Sequence, residues 1–460
     1  MSLKSGMKME VTNALNILTV ITTQHGLGLA HCDDLLDVLL DYMEHDIFGT
    51  CTRFVTGDFS DISSSSSHEP TSTQTAANNN DQQHDLTYAE LFDMSLDEMK
   101  SLIPKLEDST SDLWPSQRDR CLCIFNIFRN LSFTPENMEY LAKHDRFVPI
   151  MARIMDSTRH VANIDGMDTA GEEAWYIGVR RMDTLDFRKS ILIILSNISM
   201  VLPLRQTDMA GTFVRMTYDF LTYGPDTYYS LLAAEIWAKV AVNYENRKVF
   251  AKLVEKTSID ALRGIWVELA ALIRRDFFLL DGKVIYNLTA SQLATLEYVI
   301  MGLYSIVTIL GEHGFGDERK LKEALFESDR TVAMTILRLC ITLADTGNQH
   351  FVVVTKRGME LVRKFICGEE PVRHHGRRHS SHRHHHGEES DVPQEYLVKM
   401  AHKMLDMSAV RQMLMMAMLR PTTEAELLRD LSDLVNLIDG AVDNNNNNNT
   451  PSTPSSNNVA

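Results

Sequence analysis

Residues 120 to 144 read R-C-L-C-I-F-N-I-F-R-N-L-S-F-T-P-E-N-M-E-Y-L-A-K-H. At helical spacing, Leu122, Phe125, Phe128, Arg129 and Ser132 share one face, and Ile124, Ile127 and Leu131 fill the next. A helix apolar on so many sides has to be buried between neighbours. Pro135 breaks it, because proline cannot continue the hydrogen-bond ladder, and a second amphipathic helix follows. Phe125, Phe128, Leu131, Phe133, Pro135 and Asn137 are therefore the predicted structural core motif.

The arrangement recurs. I-L-I-I-L-S-N-I-S at 191–199 is a cousin of the first stretch, and A-E-I-W-A-K-V-A-V-N-Y-E-N-R-K-V-F at 234–250 is a looser one. Helix, short break, Asn, then another apolar helix is the pattern of an armadillo-like repeat. The fold class expected is all-α, an armadillo-like superhelix of degenerate repeats. Breaks fall at irregular intervals, at Pro135, near Asp165 to Glu172, at Pro203, Gly224-Pro225, Asp281-Gly282, Gly311 to Gly316 and Asp345 to Gly347. β-favouring runs such as Phe351 to Thr355 are few and short.

Composition divides the 460 residues further. A helical pair, roughly Met9 to Thr22 and Asp33 to Phe48, occupies 1–57. Residues 58–85 collapse to Ser, Thr, Gln, Asn and Asp, too polar to offset the entropy of ordering, and disorder is expected there. Thr87 to Glu90 and Ser95 to Glu98 have capping-box spacing at the start of a solenoid over 86–368. A His/Arg-rich linker follows at 369–391. A helical pair, Gln394 to Leu419 and Thr423 to Ile438, lies within 392–440, and 441–460 reads as a disordered Asn-rich tail.

The net charge is −17, which argues against a broad phosphate-binding face and suits a chain that meets other proteins. Six cysteines lack any CxxC pair, so neither disulfides nor a zinc site is expected. The first ten residues are too polar for a secretory signal. Tyr298 to Leu310 is the most apolar run, and at that length it falls short of a membrane span. The sequons at Asn130, Asn197 and Asn287 lie in apolar helical patterns and read as chance matches.

Candidate chemistry is sparse. The linker holds His374, His375, His379, His382, His384, His385 and His386, with Arg373, Arg377, Arg378 and Arg383. Without Cys or carboxylate at fixed spacing it reads as solvated linker rather than a metal site or a nuclear address. Leu36-Asp37-Val38-Leu39-Leu40 fits LxxLL, but a solenoid helix buries the same leucines. No nucleotide, zinc-protease or serine-hydrolase motif is present, and G-E-H-G-F-G at 311–316 lacks phosphate-loop spacing. No catalytic, cofactor-binding or metal residue is assigned, and His144 reads as a helix end rather than a base.

The residues also carry a family resemblance. M-S-L-K-S-G at 1–6, leading into a helix with Ala14, Leu15, Ile17 and Leu18, resembles the start of the C-terminal region of the ARID-bearing subunit of SWI/SNF chromatin remodellers, the Osa/BAF type and its fungal counterpart. Arg129, Leu131, Ser132, Phe133, Pro135, Asn137, Glu139, Lys143 and His144 resemble that subunit's signature, with a small shift in spacing around Glu139. Trp175, Thr184-Leu185 and Leu195 to Ser199 are similar to its next helical unit. The resemblance is strong to about residue 205 and weak beyond. It implies a nuclear, non-enzymatic scaffold without cofactors, whose partners are other SWI/SNF subunits including the remodelling ATPase, with transcription activators as further partners. The family's ARID would lie upstream of Met1, so direct DNA binding is not implied for this chain. An unrelated armadillo-like adaptor in cytoplasmic signalling or transport is the alternative. Ser2, Leu3, Lys4, Ser5 and Gly6 are the expected partner interface: too polar for a core, with Lys4 offering charge-assisted hydrogen bonds and Gly6 a turn.

Overall fold

The structure, a computed structural model, describes residues 2–48 except 25 and 33, 113–157, 181–257 except 225 and 226, 259–311, 318–367, and 394–448 except 422 and 424. The inserts expected at 58–85 and 369–391, the capping boxes before residue 113, Trp175 and most of the 311–316 run lie outside them. The described residues are all-α, and their one β pairing is an isolated antiparallel bridge between Phe278 and Val284.

The chain forms two compact units, 1–240 and 241–460. The first contains α1 (Lys8–Gln24), α2 (Leu35–Phe48), α3 (Leu113–Ser132), α4 (Pro135–Lys143), α5 (Phe147–Ser157), α6 (Arg181–Ile198), α7 (Thr207–Tyr223) and most of α8 (Thr227–Val242). The second contains α9 (Tyr244–Lys256), α10 (Asp260–Phe277), α11 (Ala290–Leu310), α12 (Glu318–Ser328), α13 (Val332–Asp345), α14 (Val352–Cys367), α15 (Gln394–Met404), α16 (Met407–Met418) and α17 (Ala425–Asn448).

In the first unit α3 is the hub, packing against α1, α2, α4 and α6. Phe125 stacks on Phe187 with ring centroids 4.8 Å apart, and Phe128 meets Phe147 edge to face at 5.1 Å. Phe125, Phe128 and Leu131 are buried. Phe133 and Pro135 are not: Phe133 is 59% exposed and Pro135 faces solvent. The cause is the turn itself. The Phe133 and Thr134 N–H groups donate back to the Asn130 and Leu131 carbonyls, both at 3.2 Å, which swings Phe133 off the helix face. Pro135 then takes the first position of α4, where its missing N–H costs nothing.

Asn137 is buried and joins three segments. Its Nδ2 donates to the Leu27 carbonyl at 2.8 Å and the Leu131 carbonyl at 3.2 Å, and its Oδ1 accepts from the Leu29 N–H at 2.8 Å. The same local pattern recurs in the second unit. Asn243 caps α9 by accepting from the Glu245 N–H, and Asn246 is buried three residues after the cap, as Asn137 is after Thr134.

In the second unit α11 and α14 are central, α14 packing against both α11 and α13. The Phe351 to Thr355 run opens α14 through a short 3-10 turn, so tertiary packing overrides its strand propensity. The α13–α14 contact is close because Gly358 has no side chain: a Cβ there would overlap Cys340 Sγ. Burial pushes the Cys340 thiol up to about 12 and keeps it neutral. Gly358→Ala is expected to destabilise the second unit by about 1–3 kcal/mol through overpacking. Cys340→Ala in the same chain should return most of that loss. Urea denaturation of the two single variants and the double variant measures the coupling.

Three boundaries differ from the sequence expectation. The apolar helix α11 begins at Ala290, held by a capping box between Thr289 and Gln292, and runs 21 residues. By length and composition it is long enough to cross a membrane, yet 61% of its apolar window is buried inside the fold. The expected helix 394–419 is two helices, because Asp406 accepts from the Ser408 and Ala409 N–H groups and starts α16 afresh. Finally, α17 continues to Asn448, past residue 440 and into the asparagine run. Once a helix is nucleated each added residue gains a hydrogen bond, and asparagine's propensity deficit is only a few tenths of a kcal/mol, roughly 0.5–0.7.

Candidate interaction surfaces

The N-terminal segment is tied to its own unit. Ser2 to Lys4 form a 3-10 turn, and the Tyr42 hydroxyl donates to the Leu3 carbonyl at 2.7 Å. Lys4 Nζ pairs with Asp34 Oδ2 at 3.0 Å, both half exposed. Ser5 Oγ donates to the Ser2 carbonyl at 2.8 Å and accepts from the Met7 N–H at 3.2 Å. Gly6 has φ +70°, the left-handed conformation that glycine adopts without strain, and it turns the chain into α1. None of Ser2 to Gly6 is buried; Leu3 is half-buried. They form an exposed, locally braced corner.

Beside that corner, α1 has two faces. Val11, Leu15 and Thr22 point inward, and α1 packs on α3. The outer face exposes Met9, Ile17 and Val20, by 72%, 59% and 52%. These recur at the spacing of one helical row, with exposed Asn13 and Asn16 between them.

The opposite side of α2 is electrostatic. Asp37, Asp41 and Glu44 stand at i, i+4 and i+7, and Arg146, at the start of α5, reaches all three at 3.0, 2.8 and 2.6 Å. Glu44 is buried. A second pair lies nearby: Arg120 on α3 makes a two-pronged hydrogen bond to buried Asp46. Burial alone would lower the Arg146 pKa, but its bonds to Glu44 and Asp41 outweigh that and hold it charged. His144 ends α4, its N–H bonded to the Tyr140 carbonyl. Burial is the main cause holding its pKa below the ordinary histidine value, opposed by Asp37 3.7 Å away.

The sequence-level candidates separate clearly. Leu36, Leu39 and Leu40 of the LxxLL match are all buried in this unit's core, so they are not presented to a receptor. The Asn130 side chain donates to Thr23 Oγ1 at 3.0 Å, and that of Asn197 donates to Ser132 Oγ at 2.9 Å, so both work as internal struts. Asn287 differs from the expectation: it is exposed, in the irregular stretch before α11. The His/Arg-rich linker lies outside the described residues. Among the described residues no group of three or more His, Cys, Asp or Glu could hold a metal. In the second unit, α16 exposes Met415, Met416 and Met418, and Leu419 follows them. The sequence shows that Val11 to Gln24 carries no charge, but which of α1's apolar residues stay outside is decided by packing.

Residues 116–214, spanning α3 to the middle of α7, match the family described as SWI/SNF-like complex subunit BAF250/Osa. Over 216 residues the chain is 26% identical to the SWI/SNF chromatin-remodeling complex subunit sol1 of Schizosaccharomyces pombe. That alignment covers 46% of this chain and 22% of the relative, so the chain spans well under half of that protein's length. The two findings agree with each other and support the resemblance carried by Arg129 to His144.

Proposed function

We propose, from this kinship with BAF250/Osa-type SWI/SNF subunits, that the chain is a non-enzymatic scaffold subunit of an ATP-dependent chromatin-remodelling complex. It organises other subunits in the nucleus for nucleosome remodelling and transcription regulation. The observation that carries the reading is where the family match falls: on α3 and the helices packed around it, the hub of the first unit. A body of stacked helices fits the role, since such folds offer extended surface and hold several partners at once. In this reading the repeats are armadillo-like. The helical regions proposed are 1–57, 86–368 and 392–440, the last extended to Asn448 by α17.

The partners proposed are other SWI/SNF subunits, including the remodelling ATPase, with transcription activators recruited through them. ATP hydrolysis belongs to a partner in this reading, and no cofactor is assigned to this chain. Ser2 to Gly6 are proposed as part of the subunit interface, as a polar corner whose shape is already fixed by Lys4–Asp34 and Tyr42.

The test is tagged purification of the chain from its native host. A remodelling ATPase and its companion subunits should be recovered in amounts equal to the bait. Recovery of a transport receptor or a kinase set instead would replace this reading with that of an unrelated adaptor. Truncating α1 is a poor probe, since its inner face covers α3; surface substitutions keep the fold intact.

A further inference from the structure

We propose that the outer face of α1 docks an α-helix of another subunit, one whose contacting stripe is uncharged over about three turns. The inference rests on the scaffold reading and names the chemistry of one of its contacts.

The face is unusual in charge. Val11 to Gln24 contains no Asp, Glu, Lys or Arg, in a chain where 23% of residues are charged and a stretch of that length would hold about three. Exposed helix faces normally carry such residues for solvation. Here the exposed positions are Thr12, Asn13, Asn16, Ile17, Val20, Thr23 and Gln24. Depletion of charge together with exposed apolar side chains is the composition of an interface core. The fold does not cover the face with its own described helices: α1's inner side takes α3, while Met9, Ile17 and Val20 stay open.

Charge complementarity selects the occupant. A row without Lys or Arg gives phosphates nothing to pair with, which excludes nucleic acid. A charged side chain on a protein partner would be desolvated with no counter-charge opposite it, which is costly, so the partner's stripe is uncharged as well. Lys8 and Glu10 lie at the start of α1, and charges on the partner fit only at that end. A second copy is disfavoured, because two chains of net charge −17 repel. The shape selects a helix. Met9, Asn13 and Ile17 make one ridge at the i±4 spacing and Asn16 and Val20 lie on the next, and such ridges pack into the grooves of another helix. Asn13 and Asn16, once covered, need hydrogen-bond partners, so they fix the register of the docked helix.

The test uses the full chain in its complex purified from the native host. A photo-crosslinking benzoylphenylalanine replaces Val20, and crosslinked peptides are mapped by mass spectrometry. The expected product joins position 20 to a helical segment of a copurifying subunit whose stripe lacks charged residues. V20E and V20K should each lower recovery of that subunit about tenfold or more, equal to about 1.4 kcal/mol, while helix content by circular dichroism is unchanged. Met415→Glu, in the second unit, should leave it recovered. Crosslinks to a second copy, to another part of the same chain or to nucleic acid overturn the proposal. So does a loss confined to one sign of charge, or unchanged recovery in both Val20 variants. If the wild-type chain recovers remodeller subunits and these outcomes fail, only this inference falls; if it recovers none, the scaffold reading falls and takes this one with it.

Discussion

Arg146→Ala should unfold the first unit at markedly lower denaturant, with a loss of about 3–5 kcal/mol. The guanidinium is the counter-charge that Asp37, Asp41 and Glu44 share. Removing it leaves three carboxylates on one face of α2, with Glu44 buried. A buried carboxylate without its partner is far more costly than the pair is stabilising, because it has lost water and gained nothing. Arg146→Lys should recover only part of the loss, since one ammonium cannot present the planar fork that meets three acids. Glu44→Gln added to Arg146→Ala should also recover part, because a neutral amide tolerates burial better. Urea titration followed by circular dichroism gives the ranking. A loss under about 1 kcal/mol for Arg146→Ala would mean that the network is a solvated surface pair.

Phe128→Ala should cost a similar amount, on the order of 3–5 kcal/mol. Phe128 is fully buried in the hub helix and packs edge to face on Phe147. Truncation leaves a cavity between α3 and α5 that surrounding helices fill only in part. Phe133→Ala, five residues on, should change stability by no more than about 0.5 kcal/mol, because Phe133 is exposed at the turn. The pair of thermal or urea measurements separates core from corner within one sequence motif. Equal effects from the two variants would mean that the turn between α3 and α4 is misplaced.

That contrast shows what could be read from the chain. Phe125 and Phe128 were legible because helical periodicity surrounds them with apolar neighbours on every side. Phe133 was not, because the ladder ends at Ser132 and a reversed turn changes which way the next side chain points. Asn137 was recognised as a pattern residue, but its three partners sit as far as 110 positions away, and local spacing cannot find them. The same holds for Arg146. Asp37, Asp41 and Glu44 are visibly one face of a helix, yet which cation meets them is decided by packing more than 100 residues later in the chain. The break at Asp406 was missed although Asp-Met-Ser is a good cap, because the flanking methionines read as one continuous apolar helix. The outer face of α1 was half visible. The sequence shows a charge-free helix, but only the packing of Val11 and Leu15 on the inside shows that Met9, Ile17 and Val20 are left outside.

The central claim is that this chain organises a remodelling complex rather than performing its chemistry. The most direct measurement removes the chain from its native host and determines the composition and sedimentation of the complex isolated through its remodelling ATPase. The account predicts a smaller assembly that has lost a defined set of subunits, while the ATPase still hydrolyses ATP. An assembly of unchanged size and composition, apart from the missing chain, would contradict it.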